Sequence, residues 1–444
     1  MANFSKPTVP QFSVDVYQNE FLPEGGREVS AIVTVSSTGG GTSGAAGVPG
    51  YAGGSSAGVV IMVDCSGSMD YPATKMRGAR EATAAAVDTL RDGTSFAVVA
   101  GTHVAKEVYP GNGGLAVADS RTRAEAKEAL RSLSAGGGTA IGTWLRLADR
   151  LLSSADLAIR HGILLTDGRN EHESPEELRA ALDACAGRFT CDARGVGTDW
   201  EVKEVTGIAS ALLGTADIVA DPAGLAVDFT TMMEQAMGKG VADVVLRLWT
   251  PVGVEIGYVK QVAPTVEDLT ARRTEAGPRA GDYPTGSWGD ESRDYHVSVR
   301  VPQAAIGQEM LAARVSLIAL DPAGGDPRPL SQGLVRAVWT DDLAMSTSIN
   351  PQVAHYTGQA ELADVIQQGL DARKSGDRDG ATAKLGRAVQ LAAASGNADT
   401  AKLLSKVVDV VDAATGTVRL KAKVAEADEM TLETRSTKTV RVKR

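Results

Sequence analysis

The sequence predicts an α/β doubly wound (Rossmann-like) domain that is inserted into an antiparallel β-sandwich and followed by a C-terminal α-helical region. Three observations support this fold class. Strand and helix signals alternate from residue 59 to residue 237, which is typical of a parallel sheet covered by helices. Short strands with alternating apolar and polar residues lie on both sides of that stretch. Apolar residues at helical spacing follow in residues 353–415.

The chain of 444 residues is long enough for several domains, because one hydrophobic core rarely grows beyond about 250–300 residues. A hairpin made only of the N-terminal strands would be too small to be stable, so we expect those strands to complete the sheet that starts after residue 240. The expected segments are N-terminal strands of the sandwich (1–37), a Gly/Ser-rich linker (38–58), the α/β domain (59–237), the rest of the sandwich (241–345), a helical bundle or hairpin (353–415) and a C-terminal tail (416–444).

The α/β domain begins with the apolar run of residues 59–63, which is typical of a buried parallel strand. One later helix has clear end signals, with Ser174 as N-cap, Glu177 as its capping-box partner and Gly187 as the stop. The remaining predicted elements of the domain are a helix over residues 76–90, strands over 94–101, 188–196 and 212–219, and a helix over 221–237.

Outside this domain, period-two alternation predicts the strands of the sandwich and a period near 3.6 predicts the helices. The predicted strands cover residues 12–16, 28–35, 244–249, 254–260, 295–301, 315–320 and 333–339. The predicted helices cover residues 361–375, 378–394 and 398–411.

Oxygen-bearing side chains follow the predicted strands of the α/β domain. Asp64, Ser66 and Ser68 come at alternating positions after the first strand. Thr139 follows a flexible glycine triplet, and Asp167 follows another apolar run. In open α/β sheets, ligands bind beyond the carboxyl ends of the strands. Carboxylates and hydroxyls are the hard oxygen ligands that Mg²⁺ prefers, so the pattern predicts a divalent-metal site.

The three motifs D-x-S-x-S, G-G-T and T-D-G, in this order and at these separations, resemble the von Willebrand factor type A domain with a complete metal-ion-dependent adhesion site. The resemblance covers residues 59–237 and is to bacterial, actinobacterial-like proteins of the intracellular type. It implies a Mg²⁺ or Mn²⁺ ion whose coordination is completed by an acidic residue of a protein partner. It also implies that Ser66 and Ser68 bind the metal directly, Thr139 directly or through water, and Asp64 and Asp167 mostly through water.

The sequence contains few residues that could form a catalytic site. An enzyme would need a base beside Ser66 or Ser68, or a metal-bound water next to a general acid or base. Of the 5 histidines, only His172 lies on a predicted metal loop, and the chain contains no G-x-x-x-x-G-K-[ST] phosphate loop. We therefore expect a binding protein and not an enzyme. The alternatives are an adaptor of a MoxR- or chelatase-type AAA+ ATPase, to which some similar proteins couple, and a metal-dependent hydrolase.

Charge, hydropathy and cysteine content restrict the class and location expected for this protein. The formal net charge of -10 argues against a general nucleic-acid-binding protein. No apolar stretch is long enough to span a bilayer, and the first residues lack the order of a signal peptide, so we expect a cytoplasmic protein. The 3 cysteines do not suggest a disulfide framework. Cys185 and Cys191 follow the spacing of core residues, whereas Cys65 lies within the predicted metal loop.

The final segment changes from acidic to basic and lacks an apolar face, which predicts a mobile tail. Its threonines Thr431, Thr434, Thr437 and Thr439 lie among arginines and lysines. The tail resembles those of actinobacterial proteins associated with forkhead-associated domains and Ser/Thr kinases. That resemblance implies a phosphothreonine read by an Arg-lined module. The alternative is a solvated terminus without a role.

Overall fold

A computed structural model of the chain describes residues 11–38, 57–320 and 325–442. These residues form two compact units, one made of residues 57–242 and the other of residues 11–38 together with 243–442. Most of the predicted Gly/Ser-rich linker, residues 39–56, lies outside the described residues. Within the described ranges, no helix is both long enough and apolar enough to cross a membrane.

Three strands precede the first unit in the chain and belong to the second: β1 (Gln11–Gln18), β2 (Phe21–Leu22) and β3 (Glu28–Thr38). β1 and β3 pair antiparallel, with Val14 opposite Val35. β3 alternates apolar and polar residues only in part, and most of it is buried.

The unit of residues 57–242 contains a seven-stranded sheet in the order β10-β9-β8-β4-β5-β6, with β7 also paired to β5. Its strands are β4 (Ala57–Asp64), β5 (Ser95–Gly101), β6 (Lys106–Tyr109), β7 (Ala116–Val117), β8 (Ile159–Thr166), β9 (Thr190–Val196) and β10 (Ala216–Val219). Its helices are α1 (Thr74–Thr89), α2 (Ser120–Ala129), α3 (Ile141–Leu152), α4 (Pro175–Cys185), α5 (Val202–Ala211) and α6 (Leu225–Met237). All strands are parallel except β6 and β7. The predicted doubly wound α/β domain is therefore confirmed.

The central strand β4 lies between β8 and β5 and is almost completely buried, as its apolar run predicts. Val63 of β4 lies opposite Leu165 of β8, and Asp64 lies opposite Gly101 of β5. The chain continues from β4 to β5 on one side and returns to β8 on the other, so the strand order reverses at β4. This reversal opens a crevice at the carboxyl ends of β4 and β8, where α/β sheets bind ligands.

The second unit contains two sheets, in the orders β1-β3-β16-β12-β13 and β14-β15-β11-β17-β18-β2. Its other strands are β11 (Val241–Trp249), β12 (Glu255–Ala263), β13 (Glu267–Asp268), β14 (Thr274–Gly277), β15 (Ala280–Trp288), β16 (Glu291–Arg300), β17 (Glu309–Ala319) and β18 (Arg328–Trp339). β3 pairs antiparallel with β16, so strands from before and after the first unit share one sheet. The two sheets pack closely where a Cβ on Gly333 of β18 would lie 2.6 Å from the Val16 side chain of β1.

Helices follow the sandwich: α7 (Leu343–Ser346), α8 (Pro351–Lys374), α9 (Arg378–Ser395), α10 (Ala398–Val407) and α11 (Glu426–Arg435). A hairpin of β19 (Val408–Asp412) and β20 (Thr417–Leu420) lies between α10 and α11. The predicted helix over residues 398–411 is therefore wrong after residue 407. The run of valines continues the helical spacing, but strand pairing between β19 and β20 overrides it.

The prediction that residues 425–444, within the C-terminal segment 416–444, form a mobile tail is also wrong over the described part. Met430 and Leu432 of α11 are buried, and Leu432 belongs to a core that includes Ile366 of α8 and Leu404 of α10. The apolar face of α11 is short and lies among acidic and basic residues, so the sequence pattern does not show it. Thr434 is buried as well, and its hydroxyl donates a hydrogen bond to the main-chain oxygen of Met430 at 2.7 Å.

The residues after α11 are bound to the sandwich. The main-chain nitrogen of Val266 donates to the oxygen of Thr437 at 2.8 Å. The hydroxyl of Thr439 donates to the main-chain oxygen of Val262 at 2.7 Å. The guanidinium of Arg441 donates to both carboxylate oxygens of Asp294. We name residues 436–442 the C-terminal strap.

Candidate metal site

Asp64 joins the ends of the two central strands. It is the last residue of β4 and is fully buried. Its Oδ1 accepts a hydrogen bond from the main-chain nitrogen of Ser66 at 2.8 Å, and its Oδ2 accepts one from the Thr166 hydroxyl of β8 at 2.7 Å. These bonds fix the direction in which the loop after β4 leaves the sheet.

A chain of oxygen atoms runs from this loop to Asp167. The hydroxyls of Ser66 and Ser68 lie 2.8 Å apart, and the Ser68 hydroxyl donates to Asp167 Oδ1 at 2.6 Å. Asp167 is fully buried, and its Oδ2 has no hydrogen-bond partner of suitable geometry among the described residues. The ammonium of Lys75 nevertheless forms an ion pair with this oxygen at 2.7 Å.

Thr139 reaches the same place from the loop before α3. A Cβ on Gly168 would lie 2.8 Å from the Ser68 hydroxyl oxygen and 3.6 Å from that of Thr139. The glycine therefore leaves open a small space beside two hydroxyl groups. The structure thus brings all five predicted residues together at one edge of the sheet, and their role as metal ligands stays a prediction.

The glycine triplet before Thr139 is packed, although the sequence suggests a flexible loop. The nitrogen of Gly136 donates to the oxygen of Cys65 at 2.8 Å, and the nitrogen of Gly67 donates to the oxygen of Gly137 at 2.9 Å. A Cβ on Gly138 would lie only 2.2 Å from the His172 ring. Close approach to the His103 and His172 rings explains Gly137 and Gly138, and Gly137 also has a φ of +82°.

Comparison with known proteins identifies the family. Residues 57–218 match the von Willebrand factor type A domain, and residues 390–436 match the von Willebrand factor type A C-terminal domain. A solved structure of a von Willebrand factor type A protein from Catenulispora acidiphila is 53% identical, with a TM-score of 0.91 over 100% of this chain and 99% of that one. The chain belongs to the von Willebrand factor type A family.

Two more distant structures share only the fold. The ArnB paralogue VWA2 from Sulfolobus acidocaldarius is 15% identical, with a TM-score of 0.59 over 96% of this chain and 98% of that one. The human COPII-coat protein Sec24c is 12% identical, with a TM-score of 0.55 over 86% of this chain and 57% of that one. No curated protein matches the chain.

In this von Willebrand factor type A domain, the two loops that carry Thr139 and Asp167 are fastened to each other. Helix α3 has no capping side chain of its own, so its first amides need other acceptors. The nitrogen of Ile141 donates to Asn170 Oδ1 at 2.8 Å, and that of Gly142 donates to Glu173 Oε2 at 2.8 Å. The amide of Asn170 also donates to Glu173 at 2.9 Å. Glu173 is thus a structural acceptor.

Lys75 is the residue of this site that sequence reasoning missed. It is the second residue of α1 and is buried with Ala79, Ala82 and Ala86 on the same face of the helix. Lysine in that helical register is a signal that could have found it, because lysine is almost never fully buried unless paired. Although burial alone would lower its pKa, ion pairs with Asp167 and Asp199 raise the pKa of Lys75 above its usual value. The ammonium therefore stays charged.

Two histidines flank the packed glycine loop. The rings of His103, just after β5, and His172, after β8, have centroids 6.4 Å apart. His172 Nδ1 accepts a hydrogen bond from the nitrogen of Thr139 at 3.3 Å. The sequence places only His172 on the predicted metal loop. The short distance between the His103 and His172 rings arises because the loops after β5 and β8 lie next to each other, which the sequence does not show.

The donor chemistry fits a hard divalent cation. Burial raises the pKa of Asp64, the charge of Asp167 adds to that rise, and hydrogen bonds from Ser66 and Thr166 oppose it. Two buried carboxylates in one place favour a cation between them. The described residues contain no group of three or more His, Cys, Asp or Glu side chains able to hold a metal ion. A metal at this edge therefore depends on the hydroxyl groups as well as the aspartates.

Proposed function

We propose that this chain is a metal-dependent protein-binding module. A Mg²⁺ or Mn²⁺ ion is held by five residues, and an aspartate or glutamate of a protein partner completes its coordination. The metal supplies a Lewis-acidic position for that carboxylate. The ligands we propose are Asp64, Ser66, Ser68, Thr139 and Asp167.

The observation that carries this proposal is the convergence of three hydroxyls and two buried carboxylates at the strand-order reversal. The Ser66, Ser68 and Asp167 side chains form a continuous hydrogen-bonded chain. A second supporting observation is the small space beside the Ser68 and Thr139 hydroxyls, which stays open because Gly168 has no Cβ. Neutral hydroxyl ligands leave more of the charge of the metal available to a partner carboxylate than carboxylate ligands would.

We also propose that the chain is not an enzyme and that it acts in the cytoplasm. Among the described residues, the histidine nitrogen that contacts a site residue is His172 Nδ1, which accepts a hydrogen bond from the main-chain nitrogen of Thr139. It is thus engaged in holding the loop. Hydrolysis of a phosphate or peptide substrate by the purified protein, lost in Asp64→Ala, would contradict the proposal.

A capture experiment tests the function. The full chain is immobilised and exposed to native lysate in Mg²⁺ or in EDTA, beside the variants Asp64→Ala, Thr139→Ala and Asp70→Ala. Asp70 is exposed and close in sequence, so it serves as the matched control. We expect specific proteins to be captured only in Mg²⁺, by the wild type and Asp70→Ala and not by the other two variants.

Identification of the captured proteins separates the partner classes. An AAA+ ATPase would indicate the adaptor role, whereas other proteins would indicate a different pathway. In either class, replacing one acidic residue of the captured protein by its amide should abolish capture. Capture that is equal in Mg²⁺ and EDTA would contradict the proposed function.

A further inference from the structure

Lys75 places a positive charge directly against the proposed metal site. Its side chain is only 7% exposed, and its ammonium lies 2.7 Å from Asp167 Oδ2 and 3.0 Å from Asp199 Oδ2. The same ammonium lies 3.4 Å from the main-chain oxygen of Ser68. Oδ1 of Asp167 therefore accepts a hydrogen bond from the Ser68 hydroxyl, and Oδ2 forms an ion pair with the Lys75 ammonium.

The ion pair between Lys75 and Asp167 stabilises the site when no metal is bound. A fully buried carboxylate without a counter-ion strongly destabilises a fold, and Lys75 supplies the counter-ion for Asp167. A divalent cation bound by the same carboxylate would lie close to the ammonium. Because two cations near one carboxylate repel each other, binding of the metal and the Lys75 ion pair oppose each other.

We propose that Lys75 is a tethered counter-ion that competes with the divalent metal for Asp167 and so sets the affinity of the site for metal and for acidic partners. This inference rests on the proposed function, because it requires a metal at the five-residue site. Asp64, Asp167 and Asp199 each carry one negative charge and Lys75 carries one positive charge, so the site without metal has a net charge of -2. A bound divalent ion brings the net charge to zero, whereas without Lys75 the loaded site would carry a net charge of -1. Lys75 therefore makes the loaded site less repulsive to a partner carboxylate.

Asp199 provides an independent control over this competition. Its carboxylate also holds the Lys75 ammonium, yet its side chain is 68% exposed, so Asp199→Asn should fold. Replacing Asp199 should remove one of the two carboxylates that pair with the Lys75 ammonium. The ammonium should then pair more strongly with Asp167, and metal binding should weaken because the metal competes for the same carboxylate. If Asp199 instead attracts the metal directly, Asp199→Asn should weaken metal binding equally with and without Lys75.

The test is calorimetric titration of the full chain with MgCl₂. The proteins compared are the wild type, Lys75→Met, Lys75→Arg, Asp199→Asn, the double variant Lys75→Met/Asp199→Asn, and Asp64→Ala. We expect roughly tenfold tighter binding in Lys75→Met and near wild-type binding in Lys75→Arg. We expect several-fold weaker binding in Asp199→Asn, with most of that effect lost in the double variant. Thermal unfolding in EDTA should show that Lys75→Met is less stable without metal.

The outcomes separate the two proposals. Absence of Mg²⁺ binding by the wild type, or equal binding by Asp64→Ala, would overturn the metal site itself. Normal binding by the wild type with equal or weaker binding by Lys75→Met would overturn only the role of Lys75. If Lys75→Met does not fold, unchanged or tighter Mg²⁺ binding by Asp199→Asn still contradicts the competition.

Discussion

Gly138 has no room for a side chain, because the imidazole of His172 occupies the space that a Cβ would enter. The ideal Cβ position lies 2.2 Å from two atoms of that ring, whereas van der Waals contact needs more than 3.4 Å. The same ring accepts the main-chain hydrogen of Thr139. The ring therefore positions the neighbouring hydroxyl through the loop backbone.

We predict that Gly138→Ala weakens Mg²⁺ binding, because the new methyl group pushes the His172 ring or the Thr139 loop out of place. Shortening the obstructing residue in the double variant Gly138→Ala/His172→Ala should restore part of the lost affinity. Titration calorimetry of the two single variants and the double variant measures this coupling. Strictly additive effects of the two substitutions would show that the ring does not position the loop.

Glu204 of α5 carries a second residue-scale prediction. Burial, opposed by a hydrogen bond from the Asn170 main chain and aided by the charges of Glu201 and Glu173, raises the pKa of Glu204 from 4.5 to about 7. A carboxyl group whose pKa is raised in the folded state stabilises the fold fully below its ordinary pKa of about 4.5. That stabilisation is lost as the pH rises through the folded-state pKa of about 7.

We therefore expect Glu204→Gln to have little effect on stability at pH 4.5 and to stabilise the unit of residues 57–242 by roughly 1–3 kcal/mol at pH 8. This range is below the full shift because the side chain is partly exposed. Urea unfolding at the two pH values measures the difference, and Glu81→Gln, at an exposed position on α1, is the control. Equal stabilisation at both pH values would exclude titration of Glu204 as the cause.

The five oxygen-bearing residues can be predicted from sequence because each lies in a short local motif. Asp64, Ser66, Ser68 and Asp167 lie at or just after strand ends, and Thr139 lies in the glycine-rich loop before α3. Lys75 and His103 cannot be predicted in the same way. Their importance depends on distances to Asp167 and His172, which lie far away in the chain. The register of Lys75 on a buried helical face is a weak signal, and it does not reveal which carboxylate the lysine meets.

At the scale of elements, the C-terminal strap completes a buried polar cluster of the sandwich. Asp294 of β16 is almost fully buried and accepts hydrogen bonds from Thr34 of β3 and Tyr356 of α8. Arg441 adds two charge-assisted hydrogen bonds, at 2.6 and 2.9 Å. The last described residues of the chain thus neutralise a charge within the sheet. Because Thr439 lies in this strap, a kinase would require the strap to detach first.

We predict that Arg441→Ala lowers the free energy of unfolding of the sandwich unit by roughly 2–4 kcal/mol, because it leaves the Asp294 charge buried with only neutral donors. Arg441→Lys should recover part of this loss, since lysine restores the charge but not the two-fold hydrogen bonding. Chemical denaturation of the full chain measures the effect, with exposed Arg419→Ala on β20 as the control. A loss no greater than that of the control would contradict the role of the strap.

The change from α10 to β19 shows what sequence periodicity cannot decide. Val407 and Val408 continue the apolar spacing of α10, and both are buried. The helix nevertheless ends, because residues 408–412 find a partner strand across a turn with Gly416 at a φ of +70°. β-branched residues fit either element, so the deciding factor is a pairing that local pattern does not contain.

At the scale of the whole molecule, the chain has two compact units with separate cores. A ligand that binds only one folded unit stabilises only that unit. We predict that Mg²⁺ raises the melting temperature of the transition that involves residues 57–242. At a free concentration of one hundred times Kd, the stabilisation should be about 2.7 kcal/mol.

Differential scanning calorimetry of the full chain with Mg²⁺ and with EDTA measures this shift. Tryptophan fluorescence of a variant that keeps only Trp144 and Trp200 assigns the transition to the first unit, since both residues lie there. In Asp64→Ala the shift should vanish. An equal shift of every transition, or one that persists in that variant, would point to a metal effect outside the proposed site.

Titration of the full chain with Mg²⁺, beside Asp64→Ala and the exposed control Asp70→Ala, tests whether the five-residue site binds a metal ion. Asp64 contacts Ser66 and Thr166, and its loss should remove metal binding while the sheet around it remains. We predict one bound Mg²⁺ ion per chain for the wild type and Asp70→Ala, and none for Asp64→Ala. Equal Mg²⁺ affinity in all three proteins, or no binding by the wild type, would contradict this prediction.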